Sequence, residues 1–562
     1  MKNIKSILLL IAVLSTSFGC KDTLEDLFDD ALTDEPKNQF TQGQVFSTPQ
    51  GLETAVNGMY YDLQAFDYYG ARFHLLIWPH SGKFHSNQGS NNDATGFATQ
   101  NTNDNLDKLW AGMYQTVNTI NSLIANVENT ELPNRDTALG QAYFLRGLTY
   151  YNMVRFFGEV PLRITPTSTE TLNIAKSPKE DVFNQVFKDF KLASQLLPNR
   201  GEYLVGRPIK YAANAYMADA YMWLAGREQA DPNYIDESKL TEVNSTNFWV
   251  EAKDQLDIVI NLGGYSLTQT YAQLWEEGNE NTSESILELQ YGNTGAARTS
   301  ALLRDVSLQD GPTIPAGAQA FSRIKPNKEM FSDHIIQYSG LDYTGQNFIP
   351  AGNNAAIITL NPAVADPRID ATYIYNSYTR TNNGSIRNLF PRQSGNSNFA
   401  RAFLNKYPDQ TYNSTTQATN HIIMRYADIL LRRAEVENEI NGPASAYQYV
   451  NKVLLRARTT ATGTTIQPAD WNATSVPTKE VFRERIMKER EYELCGEGYE
   501  WYDVRRRGIN YLQKQVDHHN AAVVFYNSTG GNSGDFILGN VEKEMTLPIP
   551  LSEISGNNLI SN

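Results

Sequence analysis

Residues 138–157 and 209–225 constrain the fold of this chain most strongly, because both predict helices that neighbouring helices must cover. The first stretch, ALGQAYFLRGLTYYNMVRFF, is apolar on nearly every side and is interrupted by Arg146 and Arg155, so several sides need packing partners. The second is rich in alanine, which lets adjacent helices approach closely, and residues 249–262 predict its partner. Such helix pairs are typical of tetratricopeptide-like repeats, whose unit is about 34 residues.

Capping residues predict where several of these helices begin and end. Thr48-Pro49 predicts an N-cap followed by proline at the first helical position. Ser177-Pro178-Lys179-Glu180 matches a capping box, while Gly158 and Gly263-Gly264 are expected to end the helices that precede them. A further helix pair is predicted near the C terminus, on either side of the break at Asn441-Gly442-Pro443.

The middle of the chain has a different character. Between about 265 and 420 the sequence is rich in Gly, Asn, Thr, Ser and Pro, which predicts irregular loops with a few short strands. We therefore expect a mainly α fold over 46–562, an α-superhelix of helix pairs (about 46–264 and 421–510) with this loop-rich lobe inserted. Residues 511–562 are predicted to form an irregular C-terminal segment.

The N terminus has the pattern of an exported lipoprotein. A basic start is followed by a short apolar run and small residues that end at Cys20, which predicts a signal peptide over 1–19. Cys20 is the predicted lipidation site, and 20–45 the predicted flexible tether. A plain secretory signal is the alternative. With Cys20 lipidated, Cys495 is the only other cysteine, so no disulfide framework is expected.

Charge and motifs exclude several classes of function. The net charge is −14, which argues against a nucleic-acid partner. No G-x-S-x-G, H-E-x-x-H, P-loop or G-x-G-x-x-G motif occurs. The charged run from Lys488 to Glu500 is predicted to be structural, with helical pairs Glu484–Lys488 and Arg485–Glu489. A surface hydrolase that uses paired carboxylates remains the alternative function.

Three histidines lie close together in sequence, at His74, His80 and His85. Their spacing matches no helical or knuckle pattern of zinc ligands. We expect these histidines to be solvated or to contact substrate, and we predict neither a metal site nor a cofactor.

A series of motifs in order along the chain resembles the SusD/RagB family. The motifs are Gly58-Met59-Tyr60, Ala142 to Gly147, Phe156 to Leu162, Met424 to Glu435, Arg456-Ala457-Arg458, Lys488 to Gly498, Trp501 to Gly508 and Leu547 to Pro550. Together they cover essentially the whole mature chain. The chain departs from the family pattern at Cys495 and at residues 557–560, which lack the usual proline.

The resemblance implies a non-catalytic outer-membrane lipoprotein that faces the cell exterior. Such a protein acts as the lid of a SusC-like, TonB-dependent barrel transporter and delivers nutrient oligomers for import. Glycans are the familiar ligands, and some members handle peptides. The acidic residues that follow Cys20 resemble an export tag to the outer face, although a solvated tether would have the same composition.

In the family, the segment after the first helix and the inserted lobe supply the ligand surface. The first of these regions is predicted here as a loop that carries four candidate ligand contacts, Tyr69, Arg72, Trp78 and Asn92. The lobe contributes Trp275, Tyr291 and Phe321. Aromatic rings stack on the apolar faces of sugars while polar side chains bind hydroxyls. Core packing is the alternative for each ring, and we expect at least one true contact in the set.

Overall fold

The computed structural model describes residues 45–88, 92–292, 298–340, 357–393, 397–530, 534–539 and 541–560. Cys20 and the predicted signal peptide therefore lie outside the described residues. Residues Val56–Asn562 form one compact unit. The described helices are α1 (Pro49–Leu63), α2 (Arg72–His80), α3 (Asn92–Thr95), α4 (Asp104–Val127), α5 (Arg135–Phe157), α6 (Lys179–Leu196), α7 (Lys210–Ala230), α8 (Phe248–Leu262), α9 (Leu302–Val306), α10 (Lys328–Tyr338), α11 (Arg368–Thr372), α12 (Tyr426–Asn441), α13 (Pro443–Ala457), α14 (Lys479–Glu493), α15 (Glu500–Arg506), α16 (Gly508–Gly530) and α17 (Leu551–Gly556).

The predicted helix pairs are present. Helix α5 packs on α6, α7 on α8 and α12 on α13, while contacts of α6 with α7 and of α8 with α12 link successive pairs. Every residue from 138 to 157 is buried, as the apolar circumference of that stretch requires. The chain is therefore mainly α, with tetratricopeptide-like helix pairs in its superhelical part.

A glycine directly after the alanine-rich stretch of α7 brings another helix close. A Cβ atom on Gly226 would lie 2.8 Å from the backbone oxygen of Arg506, in α15. Nearby, the indole rings of Trp223 and Trp501 are stacked with 6.3 Å between their centroids. Close backbone approach at Gly226 thus joins the first helical segment to the C-terminal one.

The region between about 265 and 420 contains short strands separated by loops, as predicted. The described strands are β1 (Phe84–Ser86), β2 (Ser285–Leu289), β3 (Ile324–Pro326), β4 (Tyr373–Ile374), β5 (Ser377–Thr379), β6 (Ile386–Asn388), β7 (Phe403–Leu404), β8 (His421–Arg425), β9 (Thr459–Thr460) and β10 (Gly463–Thr464). They pair antiparallel in twos: β1 with β3, β2 with β8, β4 with β7, β5 with β6 and β9 with β10. The β1–β3 pair joins the segment after α2 to the lobe, which positions the candidate site.

Three regions that were predicted to be irregular contain helices in the structure. The segment that carries Trp78 forms α2, the loop-rich lobe contains α9, α10 and α11, and α16 extends into the predicted irregular segment 511–562. Helix α16 buries Leu512, Val516 and Val523 on one side. A short helix that contains Pro79 gives a weak periodic signal. The apolar residues of α16 fall in two groups, at 509–516 and 521–526, with a polar stretch between them that interrupts the helical period.

The capping predictions have mixed outcomes. The backbone N–H of Gly51 donates to Thr48 Oγ1 at 3.1 Å, which confirms the first N-cap. The capping box at Ser177 is wrong, because α6 begins at Lys179 and no side chain caps it. The carboxylate of Glu180 instead accepts from the backbone N–H of Asp236 at 2.9 Å.

The charged run in α14 is structural, but its partners differ from those predicted. Lys488 Nζ lies 2.7 Å from Asp333 Oδ2, and Glu489 Oε1 lies 2.7 Å from Arg368 Nη1. Further along, the fully buried Glu493 also binds Arg368, at 2.9 Å. Long-range pairs replace the two predicted helical pairs because α14 is packed on several sides, and Lys488 keeps one pair within the helix, to Glu491 at 3.3 Å. Because Glu489 and Glu493 are buried and each is bound by a guanidinium group, a substrate cannot reach their carboxylates.

Candidate functional site

An exposed phenyl ring lies where the chain turns between α1 and α2. Residues Phe66–Gly70 form one π-helical turn, in which the backbone of Tyr68 has non-helical angles, φ −127° and ψ −115°. The kink directs Tyr68 and Tyr69 into the core and leaves Phe66 41% exposed. A large ring that stays exposed forgoes the free energy of apolar burial. Because exposed apolar surface often marks a binding site, Phe66 is a candidate for ligand contact.

A second exposed ring, Phe321, lies between α9 and β3. Its backbone N–H donates to the backbone oxygen of Arg304 at 2.6 Å. The next residue, Ser322, has φ +51°, and its hydroxyl donates to the backbone oxygen of Ser307 at 2.8 Å. These bonds fix the segment against α9 while Phe321 stays 48% exposed.

Arginine side chains join the two rings into one surface. The guanidinium carbon of Arg304 lies 5.2 Å from the ring centroid of Phe66 and 5.8 Å from that of Phe321. Arg323 lies 4.4 Å from the Phe321 centroid, and Arg72 lies 5.3 Å from the Phe66 centroid. We call these five residues the aromatic–arginine surface. Cation–π contacts of this kind hold guanidinium and ring in a fixed relation.

A buried carboxylate holds the arginines from below. Asp305 Oδ2 lies 2.9 Å from Arg304 Nη2, and Asp305 Oδ1 lies 3.0 Å from Arg323 Nη1. The Nε2 atom of His74 is 3.0 Å from the same carboxylate. Burial alone would raise the pKa of Asp305, but the bonds to His74 and Arg304 outweigh it and lower the pKa. Asp305 is therefore ionised.

Burial also decides the state of His74. It lowers the pKa of the imidazole below its usual value, although Asp305 opposes the shift. His74 is therefore neutral near neutral pH and adds no charge to the site. At the other end of the surface, Arg72 Nη1 donates to Asn105 Oδ1 at 2.6 Å and lies 3.1 Å from Asp104 Oδ2.

This arrangement suits a ligand with both apolar and polar faces. Two partly exposed phenyl rings can pack on C–H groups, while guanidinium N–H groups beside them can donate to hydroxyl, carbonyl or anionic oxygens. Since existing bonds already order the arginine side chains, ligand binding needs little further loss of side-chain entropy.

The structure brings two of the predicted site residues, Arg72 and Phe321, onto this surface. Tyr69 is buried and its ring stacks on Phe73 with 4.6 Å between centroids. Trp78 is buried in α2, 5.2 Å from the ring of Phe84. In this structure neither ring offers a face to a ligand.

The remaining predicted residues lie elsewhere. Trp275 is buried against Tyr407 with 5.0 Å between ring centroids, and Tyr291 is buried with its backbone N–H bonded to Asn420. Asn92 begins α3, and its side chain lies outside the described residues. We therefore centre the candidate site on Arg72 and Phe321.

The sequence alone does not identify Phe66, Arg304 or Arg323. It favours tryptophan and tyrosine as ligand contacts, yet Tyr69, Trp78, Trp275 and Tyr291 have the burial expected of large aromatic residues. A phenylalanine directly after a long helix and before a glycine turn was a usable signal for Phe66. No local pattern marks the arginines, because their roles depend on the tertiary contact with Asp305.

The expectation for the three histidines is wrong. His74, His80 and His85 are all buried. Each faces a different carboxylate, those of Asp305, Glu544 and Asp535, at 3.0, 2.6 and 3.5 Å. Helix packing draws the three side chains apart, so they are neither solvated nor in contact with a common ligand.

A separate cleft of about 470 Å3 lies beside Tyr61 and the exposed Val205. Arg298 covers the Tyr61 ring, with 3.5 Å between its guanidinium carbon and the ring centroid. The cleft is lined by aromatic and polar side chains, among them Tyr60, Gln64 and Arg207, as well as by the aliphatic Leu204 and Val205. It is the second location at which a ligand should be sought.

Two family models match the chain. The model described as SusD family matches residues 283–562, and the model described as starch-binding, associating with outer membrane, matches residues 33–222. SusD-like protein P2 of Formosa agariphila is 24% identical over 505 residues, which cover 88% of this chain and 89% of the relative.

Solved structures have the same fold. A SusD homolog from Bacteroides thetaiotaomicron superposes with a TM-score of 0.69 at 18% identity, over 93% of this chain and 98% of the homolog. A laminarin-binding SusD-like protein superposes with a TM-score of 0.63 at 18% identity, over 91% and 98% of the two chains. In the part of the chain that the structure describes, no helix is long and apolar enough to cross a bilayer.

Proposed function

This chain belongs to the SusD/RagB family, and on that premise we propose that it binds nutrient oligomers at the aromatic–arginine surface without cleaving them. The observation that carries the proposal is the pair of exposed rings, Phe66 and Phe321, which share the guanidinium of Arg304. Glycan oligomers are the proposed ligands, and oligopeptides are the second class to be screened.

The chemistry of the surface supports a glycan. Sugar rings present apolar C–H faces that stack on aromatic side chains, and hydroxyl groups that accept from guanidinium N–H groups. One structural neighbour is a laminarin-binding SusD-like protein, which is consistent with a glycan ligand here. The buried state of Glu489 and Glu493, each bound by arginine, favours binding over acid–base catalysis in that region.

Ring deletion tests the proposal. A panel of glycan oligomers and peptides is titrated calorimetrically into the purified protein, and then into Phe66→Ala and Phe321→Ala variants. Each variant should weaken binding about tenfold or more, since a ring at the centre of an interface contributes roughly 2 kcal/mol. Phe525→Ala is the matched control, because Phe525 is 42% exposed and lies on α16, outside the surface.

The control should bind with unchanged affinity. Equal affinities for the wild-type protein and both ring variants would contradict the assigned site. Hydrolysis products of the bound oligomer, measured in the same samples, would contradict the non-catalytic role.

We further propose that the protein is anchored to the outer membrane by lipid at Cys20, faces the cell exterior and delivers its ligand to a SusC-like, TonB-dependent barrel. The match to a model described as associating with outer membrane supports the location. Lipid anchoring explains attachment because several acyl chains together hold a protein stably at a bilayer. The helical repeats are the proposed interface with the barrel. We expect this interface to bury more than the roughly 2,000 Å2 of accessible surface typical of permanent complexes.

Fractionation of the native host tests the anchor and the partner together. Extraction in mild detergent should recover the barrel with the wild-type protein. Cys20→Ala should leave a folded protein that no longer fractionates with membranes. A variant that stays membrane-bound after a salt wash would contradict the lipid anchor, and a wild-type protein isolated alone would contradict the permanent complex.

A further inference from the structure

The charges around Phe321 do not balance. Among the described residues, a single carboxylate, that of Asp305, lies within 4.0 Å of the Arg304 guanidinium. The same carboxylate is the one that pairs with Arg323. Two guanidinium groups therefore share one negative charge. His74, the third group on that carboxylate, is kept neutral by burial.

The neighbouring carboxylate does not correct the imbalance. Asp310 is fully buried and pairs with Arg380 at 2.6 Å, while Gln319 Nε2 donates to its other oxygen at 2.5 Å. The ring of Tyr412 packs nearby, and its hydroxyl donates to the backbone oxygen of Gln319 at 3.1 Å. Beside the exposed Phe321 ring, Arg304 and Arg323 thus carry one unit of positive charge more than Asp305 offsets, whereas Arg72, at the other end of the surface, lies within 4.0 Å of both Asp67 and Asp104.

We propose that the oligomer bound at this surface is anionic, with a carboxylate or sulfate group held by Arg304 and Arg323 while the adjoining sugar packs on Phe321. The proposal rests on the proposed function and names the substrate class of the same site. Planar guanidinium groups match the oxygen geometry of carboxylate and sulfate groups. Asp305 fixes both groups before the ligand arrives.

The surplus is notable in a chain whose net charge is −14. An acidic protein repels anionic oligomers at long range, so their capture requires a local positive site. A neutral oligosaccharide would need only the rings and hydrogen-bonding groups. Two arginines on a single carboxylate are an additional feature, which an anionic group on the ligand would explain.

Matched pairs of anionic and neutral oligosaccharides test whether the surface prefers a negatively charged ligand. Uronate oligomers are compared with their carboxyl-reduced counterparts, and sulfated oligomers with their desulfated counterparts. In any pair that binds, the anionic member should bind about tenfold or more tightly, because hydrogen bonds to a charged group are stronger than those to a neutral hydroxyl. The preference should shrink as ionic strength rises. The two kinds of pair distinguish a carboxylate from a sulfate ligand.

Arginine variants locate the effect. Arg323→Gln should reduce the preference for the anionic member about tenfold, because the anionic member loses a charge-assisted contact and the neutral member loses at most a weaker hydrogen bond. Arg387→Gln is the control. The guanidinium carbon of Arg387 lies 4.1 Å from the ring centroid of Phe399, and Arg387 forms no ion pair with Asp305 among the described residues. If Arg323→Gln lowers the melting temperature, Arg323→Lys keeps the charge, removes the planar fork and should reduce the preference by a smaller factor.

The outcomes separate this inference from the proposed function. Equal or tighter binding of the neutral member, with Phe321→Ala still weakening it, overturns the anionic class and leaves oligomer binding intact. A preference that persists equally in Arg323→Gln and Arg387→Gln overturns the assignment to this arginine pair. Absence of binding to every oligosaccharide and peptide overturns both proposals.

Discussion

Arg146 lies in the helical core, where its guanidinium binds the carboxylate of Asp189 through two bonds. Arg146 Nε donates to Asp189 Oδ2 at 2.9 Å, and Nη2 donates to Oδ1 at 2.8 Å. A third bond, from Nη1 to Asn121 Oδ1 at 3.0 Å, joins α4 to α5 and α6. These contacts give Arg146 a structural role in a buried network between three helices.

Removal of this guanidinium should destabilise the protein. Arg146→Ala leaves the fully buried Asp189 without its counter-charge, which should cost about 3–5 kcal/mol. Arg135→Ala is the control, because its pair with Asp136 is largely exposed and such pairs contribute little. Chemical unfolding measures both, and titration of the bound oligomer measures function. Normal stability with lost binding in Arg146→Ala would contradict the structural role.

At the scale of single residues, the sequence indicates which residue types matter better than it indicates which side chains are exposed. Arg146 was recognisable because a charge within an apolar helix needs a partner. Trp78 and Trp275 have the ring type of a ligand contact, yet both are buried. Exposure depends on the kink at Tyr68 and on packing of distant segments, and neither leaves a trace in local composition.

Helix α5 shows how a backbone position sets the length of an element. Its last residue is Phe157, and Gly158 follows with φ +72° and ψ −110°. An L side chain strains this conformation. Gly58, within α1, has ordinary helical geometry, and neither glycine has another atom within 4 Å of an added Cβ. The two positions therefore differ in backbone conformation and not in available space.

Alanine at these two positions should have opposite effects. Gly158→Ala should lower the free energy of unfolding by about 1–3 kcal/mol, because the backbone strain is not relieved. Gly58→Ala should raise it by about 0.5–1 kcal/mol, because alanine restricts the unfolded chain and favours helix. Thermal and urea unfolding measure both. Stabilisation by Gly158→Ala would contradict the assigned end of α5.

Among the elements, those with continuous apolar periodicity were predictable. Residues 138–157 and 209–225 had enough apolar surface to fix both helix formation and burial. Helix α2 and the capping box at Ser177 were not predictable, because a proline and a competing side-chain bond to Asp236 decide the local outcome. Long-range ion pairs of α14 also replaced the local pairs that its sequence suggested.

For the whole molecule, the order of motifs indicated the family and hence the fold. The candidate site could be predicted only in part, through Arg72 and Phe321. Its residues come from three segments, at 66–72, at 304 and at 321–323, which the sequence separates by up to about 250 positions. Their meeting depends on the β1–β3 pairing and on the contacts of α9, so local patterns could not assemble it.

The structure of the complex with the tightest-binding oligomer of the panel tests the central claim most directly. We expect sugar C–H groups in van der Waals contact with the rings of Phe66 and Phe321, and a ligand oxygen within hydrogen-bond distance of Arg304. A ligand bound instead in the cleft beside Tyr61 and Val205, with both phenyl rings still exposed to solvent, would contradict the account.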